Sequence, residues 1–333
     1  MRVGLIARGE DRGLGLQTWE VSRHLDCDVL LVNVEDRFDC HFDRYPGAVH
    51  VGWAGNGFRN RQKVQSWLER QDVVYTAETF YDPQFTTWAH NARVPIVCHL
   101  NPEFWRQGPI ANWWNPTSWR MEHVHRAAKV VPYPVALDRW PAATAPHDGP
   151  CRWLHVAGRG AMWDRNGTEA TIAALAHLRE PCHVTICTQG EAPEIPATRP
   201  GVTVEVRGHE PDYWRLYEGH DALVMPRRYG GLCLPVNEAM GAGLAVAMTD
   251  ISPNTDTWPV VPIMAKPGRT ERMYAGHIEV ADVDPFDIAV VMDTLADPDA
   301  RAEAQRQARA WAERHSWEVL GPAWMEDLAA LRA

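Results

Sequence analysis

Two arginines in a glycine-containing segment could bind a phosphorylated ligand. Arg159 and Arg165 lie six positions apart within 158–167, a segment that follows an apolar run and precedes a helical pattern. A guanidinium group stays charged and forms paired hydrogen bonds to phosphate oxygens. Two such groups on one loop could therefore hold a diphosphate between them. The alternative is that both arginines are solvated surface residues.

The most specific segment is 225–240, which reads Met-Pro-Arg-Arg-Tyr-Gly-Gly-Leu-Cys-Leu-Pro-Val-Asn-Glu-Ala-Met. An apolar run ends at a proline, two glycines form a turn, and a second proline begins a helix. The amides of Leu232, Cys233 and Leu234 would then face a bound phosphate, which the helix dipole favours. Glu238, one turn into the helix, could accept two hydrogen bonds from ribose hydroxyls. The alternative is an ordinary strand–turn–helix connection.

A third glycine-containing loop follows the first apolar run of the chain. Gly13 and Gly15 precede an amphipathic helix, and glycines at such a position let the backbone approach a ligand. The spacing is not that of a dinucleotide-binding fingerprint, and no P-loop lysine follows it. The segment is therefore a candidate donor-binding loop, with a plain strand-to-helix turn as the alternative.

The stretch 104–129 combines tryptophans with basic residues. Such a mixture suits stacking on sugars or on unpaired bases beside a phosphate backbone. The alternative is that the tryptophans pack in the core. The candidate acceptor-side residues are Trp105, Arg106, Trp113, Trp114 and Arg120.

Both halves of the chain alternate short apolar runs with helix-compatible stretches. This alternation predicts βαβ units and parallel sheets with covered faces. The predicted fold class is α/β, with two doubly wound Rossmann-like domains that face a cleft and bind ligands at strand carboxyl ends. The predicted domains are 1–140 and 151–315, joined by a linker over 141–150 that is rich in proline and alanine.

Composition excludes several classes of protein. The chain has 333 residues, of which 45% are hydrophobic and 23% charged, so it can bury a core and is not disordered as a whole. No apolar run approaches the ~18 residues that span a bilayer. The net charge of −10 disfavours a generally basic nucleic-acid binder, although not a local basic patch. Seven scattered cysteines without a Cys-x-x-Cys pair favour reduced thiols in a cytoplasm, and no metal site is expected.

The segment 225–240 resembles the retaining glycosyltransferases of the GT-B fold, in particular glycosyltransferase family 4. The family string reads P-S-x-x-E-G-F-G-L-P-x-x-E-A-M. Gly158-Arg159 resembles the start of the family's donor domain, and Ser316-Trp317 resembles the point before a last helix, here 316–333, that crosses back to the first domain. The amino-acid sequence at the N-terminus resembles that of glycosyltransferases of phages that infect actinobacteria. The residues that match the string are Pro226, Gly231, Leu234, Pro235, Glu238, Ala239 and Met240.

The resemblance implies a sugar nucleotide, such as a UDP- or GDP-sugar, bound mainly by the second domain. The first domain would bind the acceptor. Transfer would retain the anomeric configuration and need no metal or other cofactor. Arg159 and Arg165 would stabilise the leaving diphosphate, and Glu238 would hold the ribose.

Four positions depart from the family string. Leu232-Cys233 stands where the family has Phe-Gly, and the two other replacements change charge. Gly230 stands where the family has a glutamate that contacts the donor sugar, and Arg227 stands where it has a serine. Arg227 could add positive charge to the phosphate site. The family also has a histidine near the reaction centre, for which His99 is the nearest candidate, with Glu103 as an alternative carboxylate.

The main hypothesis is a glycosyltransferase that moves a sugar from a nucleoside diphosphate to a hydroxyl acceptor. A narrower hypothesis makes that acceptor a hydroxymethylated pyrimidine in phage DNA, which would place the enzyme in the cytoplasm of the host cell. A protein, lipid or small-molecule acceptor is equally open. A non-catalytic sugar-nucleotide-binding module is the alternative that Gly230 raises. The sequence does not determine the oligomeric state.

Overall fold

A computed structural model describes all residues except 35–38, 105–111, 125–127, 146, 161, 274–275 and 333. The chain divides into two compact units. The first contains residues 1–134 and 317–333, and the second contains 135–316. Each unit is built on a parallel β-sheet with helices in the connections. The predicted α/β fold class with two doubly wound domains is therefore confirmed.

The first unit has a seven-stranded sheet in the order β3-β2-β1-β4-β5-β6-β7. The chain starts in the middle of this sheet and changes direction between β1 and β4, which makes that position a topological switch point. The strands are β1 (Val3–Arg8), β2 (Cys27–Val34), β3 (Val49–Trp53), β4 (Val73–Ala77), β5 (Ile96–His99), β6 (Asn112–Asn115) and β7 (Lys129–Val130). The helices between them are α1 (Gly13–His24), α2 (Arg61–Leu68) and α3 (Phe85–Ala92).

The second unit has a six-stranded parallel sheet in the order β10-β9-β8-β11-β12-β13, and its switch point lies between β8 and β11. A separate antiparallel pair, β14 with β15, follows it. The strands are β8 (Cys151–Gly158), β9 (Cys182–Thr188), β10 (Val202–Arg207), β11 (Ala222–Met225), β12 (Ala245–Thr249), β13 (Val261–Ile263), β14 (Ala265–Met273) and β15 (Gly276–Val283). The helices are α4 (Thr168–Ala174), α5 (Leu234–Gly241), α6 (Asn254–Thr257), α7 (Pro285–Thr294) and α8 (Pro298–Arg314).

The last helix, α9 (Trp317–Ala330), belongs to the first unit. Trp324, in the middle of α9, is 2% exposed and packs against the rings of Tyr75 and Trp114 in that unit's sheet. Its indole Nε1 donates to the carbonyl oxygen of Pro132 at 3.1 Å. The helix is therefore tied to the unit that the N-terminal part of the chain forms.

Local sequence explains most of these elements. The central strands β4 and β12 are buried at every position, as expected for parallel strands covered on both faces. Helices α7 and α8 each begin with a capping aspartate followed by proline, and Asp297 accepts the amide of Ala300 at 2.8 Å. Among the described residues, no helix is both long enough and apolar enough to cross a membrane.

Four of the described strands, β6, β13, β14 and β15, are not predicted by the alternation of apolar runs and helical patterns. The residues predicted as a linker belong to the second unit, where the Thr144 amide donates to the carbonyl oxygen of Ala242 at 3.1 Å. A stretch of alanine and proline lacks periodicity, so its packing against a neighbouring helix leaves no pattern in the sequence.

Candidate functional site

Two loops of the second unit meet at its topological switch point. One loop, 158–167, leaves the carboxyl end of β8, and the other, 226–233, leaves the carboxyl end of β11. These strands are parallel neighbours, because Leu154 pairs with Leu223. Open α/β sheets bind ligands at such a position. The two segments with the strongest chemical signals in the sequence are therefore brought together by strand order.

Hydrogen bonds hold the two loops against each other. The amide of Arg228 donates to the carbonyl oxygen of Arg165 at 2.9 Å. The hydroxyl of Tyr229 donates to the carbonyl oxygen of Met162 at 2.7 Å. The Arg228 guanidinium donates to the carbonyl oxygens of Trp163, at 2.9 Å, and of Ala281 in β15, at 2.7 Å. Arg228 therefore connects the two loops to the antiparallel pair of β14 and β15.

Backbone constraints fix the path of the first loop. Trp163 and Asp164 both have positive φ, a conformation that is uncommon for residues with side chains and frequent at functional sites. Gly167 also has positive φ, and a Cβ there would collide with the backbone of Pro226 in the second loop. The close approach of the two loops therefore requires glycine at position 167.

Arg165 and Arg227 converge on Gly230. The Nη2 atoms of both arginines lie within 2.8 Å of the point that a Cβ of residue 230 would occupy. Arg227 is 1% exposed, and its Nε donates to the carbonyl oxygen of Tyr229 at 3.0 Å. The Arg165 guanidinium lies over the Tyr229 ring, with 5.6 Å from Cζ to the ring centroid. Two positive charges thus occupy the position where the family string has a carboxylate.

The second loop ends at the N-terminus of α5. Cys233 is the residue before the helix, Leu234 is its first residue, and Pro235 follows within the first turn. Leu232 and Cys233 are buried. The first turn of a helix has amides without intrahelical acceptors, and its dipole favours an anion there. The predicted helix start is therefore present at the switch point.

Glu238 is half-buried and lies one turn into α5, where its carboxylate accepts a hydrogen bond from the hydroxyl of Tyr217. Burial, followed by the charge of Glu238, raises the pKa of Tyr217 well above its ordinary value. Tyr217 therefore stays protonated and remains a donor. This bond fixes one carboxylate oxygen and orients the other.

The remaining donor-site candidates lie in different surroundings. Arg159 is exposed in the loop after β8, and Gly231 is buried beside Gly230. Gly13 and Gly15 belong to the first unit, where Gly13 is the exposed first residue of α1. A Cβ on Gly15 would collide with the backbone of Glu10, so close packing by itself requires glycine there.

The position of His99 argues against the predicted role in catalysis. His99 is 2% exposed, and its Nδ1 shares a 3.0 Å hydrogen bond with the hydroxyl of Tyr75. The rings of Trp114, Tyr133 and Trp324 surround it, with centroid distances of 6.0, 6.2 and 5.3 Å. Burial lowers its pKa to about 3, so the ring is neutral. His99 is a core residue because strand β5 points it into an aromatic cluster.

The tryptophan-rich stretch also packs in the core where it is described. Trp113 and Trp114 are 7% and 3% exposed because they form β6, which pairs with β5 and β7. Arg120 has positive φ, and its Cζ lies 5.6 Å from the centroid of the Trp119 ring. Trp105 and Arg106 lie outside the described residues. The prediction of Trp113 and Trp114 as acceptor-side residues is therefore corrected to core packing.

Two site residues were not predicted from the sequence. Tyr217 holds Glu238, and Tyr229 lies beneath Arg165. Tyr217 lies in a short 3-10 helix before β11, so no local periodicity relates it to α5. Tyr229 lies inside segment 225–240. Its position directly after Arg227 and Arg228 is the sequence signal that could have identified it as a site residue.

Comparison with known proteins places this geometry in a family. Residues 153–280, which include both loops and α5, match the family model described as "Glycosyl transferases group 1". A similar chain is "Putative glycosyltransferase 45" of Sulfolobus islandicus filamentous virus, at 24% identity over 251 residues, 68% of this chain and 69% of the relative. Residues 153–280 therefore form a glycosyl transferases group 1 domain, and the chain as a whole has the GT-B fold.

Solved structures of glycosyltransferases share the fold of this chain over its full length. Anabaena Alr3699/HepE in complex with UDP and glucose aligns with a TM-score of 0.71 at 15% identity, covering 99% of this chain and 100% of the other. The same protein with UDP-glucose aligns at a TM-score of 0.70. Sucrose-phosphate synthase from Thermosynechococcus elongatus aligns at 0.64 with 12% identity, covering 99% and 100%. At these identities the likeness establishes the fold.

Proposed function

We propose that this glycosyltransferase transfers a sugar from a nucleoside diphosphate to a hydroxyl acceptor with retention of anomeric configuration. The main support is the convergence of Arg165, the start of α5 and Glu238 at one switch point. Anabaena Alr3699/HepE binds UDP and UDP-glucose, so a uridine nucleotide is the first donor to test. The proposed reaction uses no metal, and we expect turnover to be unchanged by EDTA.

The proposed chemical role of the second unit is to stabilise the departing diphosphate. Arg165 and the amides at the N-terminus of α5 would interact most strongly when negative charge develops on the leaving oxygen. Arg159, exposed on the same loop, would add a further charge. Such preorganised donors lower the activation barrier because folding has already oriented them, so they need not reorganise when the charge develops.

In the proposed step, the bond between the sugar C1 and the diphosphate oxygen breaks, and its electron pair leaves with the diphosphate. A bond forms between C1 and the acceptor oxygen on the same face of the sugar. The proton of the acceptor hydroxyl passes to the departing diphosphate oxygen. The product is a glycoside with the anomeric configuration of the donor, which NMR of the isolated product identifies.

The proposed role of Glu238 is to accept hydrogen bonds from the ribose hydroxyls. Its carboxylate lies one helical turn after the amides that would face the phosphates, and Tyr217 holds one of its oxygens. A hydrogen bond to a charged group contributes about 1.5–3 kcal/mol. Glu238 therefore tests the placement of the donor independently of the arginines.

We expect Glu238→Ala to weaken binding of UDP and UDP-glucose at least tenfold, measured by titration calorimetry. The matched control is Glu303→Ala, which removes an exposed carboxylate from α8. Donor hydrolysis without acceptor should fall in parallel with binding. Unchanged affinity in Glu238→Ala, with the fold retained, would remove Glu238 from the donor site.

For the acceptor, we propose a hydroxymethylated pyrimidine in DNA as the first class to test. The similarity to a viral protein supports it. The burial of Trp113 and Trp114 removes part of the stacking surface that suggested it. DNA containing 5-hydroxymethylcytosine should accept sugar, unmodified DNA should not, and the rate should fall steeply with salt. Transfer to a protein, lipid or small molecule alone would overturn this choice of acceptor.

A further inference from the structure

Gly230 and Arg227 are the two positions at which this chain departs in charge from the quoted family residues. A side chain at position 230 would displace the guanidinium groups from their observed positions, because its Cβ would lie within 2.8 Å of the Nη2 atoms of Arg227 and Arg165. Gly230 also has φ of +119°, which side-chain-bearing residues rarely adopt. The glycine and the two guanidinium groups are therefore interdependent parts of one arrangement.

The arrangement brings two permanent positive charges close together at a largely buried place. Both Nη2 atoms lie within 2.8 Å of one point, and Arg227 is 1% exposed. Like charges repel more strongly away from bulk water, and an anion that contacts both of them converts that repulsion into attraction. Guanidinium groups bind phosphate and carboxylate oxygens through paired hydrogen bonds.

The surrounding contacts orient the pair. Nε of Arg227 donates to the carbonyl oxygen of Tyr229, and the ring of Tyr229 supports Arg165. The carbonyl oxygen of Arg227 accepts the Asn254 side-chain amide at 3.3 Å and the Thr249 hydroxyl. The position of Arg227 is therefore determined by its own loop and by the neighbouring strand end, independently of the exposed Arg159.

We propose that Arg165 and Arg227 form one anion-binding subsite for the donor, and that Gly230 is required because only glycine leaves room for both guanidinium groups. The anion is a phosphate or carboxylate group of the sugar nucleotide. This inference rests on the proposed function, because it assigns the subsite to that donor. It makes Arg227 a donor-binding residue at a position where the family string has serine.

The experiment measures binding of inorganic pyrophosphate, UDP, UDP-glucose and UDP-glucuronate by titration calorimetry. The variants are Arg165→Met, Arg227→Met, Arg227→Lys, Gly230→Ala and the double variant Arg165→Met/Arg227→Met. Arg306→Met is the arginine control, because its guanidinium is exposed on α8. Gly219→Ala is the glycine control, because φ is +76° there and no described atom lies within 4 Å of the added Cβ.

We expect Arg227→Met and Gly230→Ala to weaken the binding of pyrophosphate and UDP at least tenfold. The controls Arg306→Met and Gly219→Ala should bind both ligands with wild-type affinity. Arg227→Lys, which keeps the charge and loses the fork, should lose less than Arg227→Met. The fold-loss of affinity in the double variant should be smaller than the product of the fold-losses in Arg165→Met and Arg227→Met, because both groups contact one anion. Thermal unfolding and circular dichroism confirm that each variant is folded.

The ligands separate the two sources of the anion. Equal losses for pyrophosphate, UDP and UDP-glucose assign the subsite to the diphosphate. A loss confined to UDP-glucuronate assigns it to a carboxylate on the transferred sugar. Wild-type affinity for all four ligands in Arg227→Met and Arg227→Lys would overturn the subsite and leave the proposed function intact. A wild-type protein that binds none of the four, and neither GDP nor a GDP-sugar, would overturn the proposed function itself.

Discussion

The aromatic cluster around His99 in the first unit and the arginine pair around Gly230 in the second offer a direct comparison. Both contain residue types that often act in chemistry, and both lie near carboxyl ends of parallel strands. In the first, the side chains contact one another, and Tyr75, Trp114 and Trp324 enclose the histidine. In the second, two loops bring the guanidinium groups of Arg165 and Arg227 close together beside Gly230. Residue types therefore suggest where a functional site could lie. The contacts around those side chains determine whether they are packed into the core or can bind a ligand.

The physical difference lies in what each group gains from its neighbours. Aromatic rings satisfy one another through area burial and edge-to-face contacts, so a cluster of them needs no ligand. Guanidinium groups at close range repel, and an anion reduces that repulsion. Substitutions in the first region should consequently change stability, and substitutions in the second should change ligand binding and turnover.

The largest expected effect is on the stability of the first unit. Trp324→Ala should lower the free energy of unfolding by about 3–5 kcal/mol, because it removes a fully buried ring and leaves a cavity. Denaturant unfolding monitored by circular dichroism measures the loss. Val319→Ala, on an exposed position of the same helix, should cost less than about 0.5 kcal/mol. Similar values for the two variants would contradict the core assignment.

Arg165→Met should leave stability nearly unchanged and reduce turnover about a hundredfold, since it removes one of the charged groups proposed to stabilise the leaving diphosphate. The measurement is initial rate of nucleoside diphosphate release, with Arg306→Met as the control. A greater loss of stability than of turnover would place Arg165 with the structural residues and remove the contrast between the two regions.

The smallest expected effect concerns the pH dependence of stability. The pKa of His99 is about 3 in the folded protein, below the ~6.5 of an unfolded histidine, so the unfolded chain binds more protons between these values. This histidine should therefore cost about 2 kcal/mol of stability as pH falls from 7 to 5.

His99→Gln keeps a partner for Tyr75 and does not titrate, so it should make the dependence of stability on pH less steep between pH 7 and 5. Urea unfolding at several pH values measures the slope. His155 and His220, whose pKa values burial also lowers to about 4, continue to contribute in the variant. An unchanged slope would show that His99 is reached by solvent protons in the folded state.

The fold was largely predictable because strand burial and helix starts are local. The apolar run predicts a strand over Ala222–Met225 and the following pattern predicts a helix from Pro285, and β11 and α7 begin at these residues. Strand β6 was missed because Asn-Trp-Trp-Asn is too short for a periodic signal and becomes a strand only between β5 and β7. The burial of its tryptophans depended on that pairing.

By itself, the sequence determined the α/β class, the two loops with their arginines and glycines, and the proline-led helix that contains Glu238. Only the tertiary structure decided that Arg227 joins Arg165 at Gly230, that Tyr217 holds Glu238, and that His99 is enclosed. The reason is that the first group depends on backbone preferences over a few neighbouring residues. The second depends on contacts between segments brought together by strand order, which no local pattern contains.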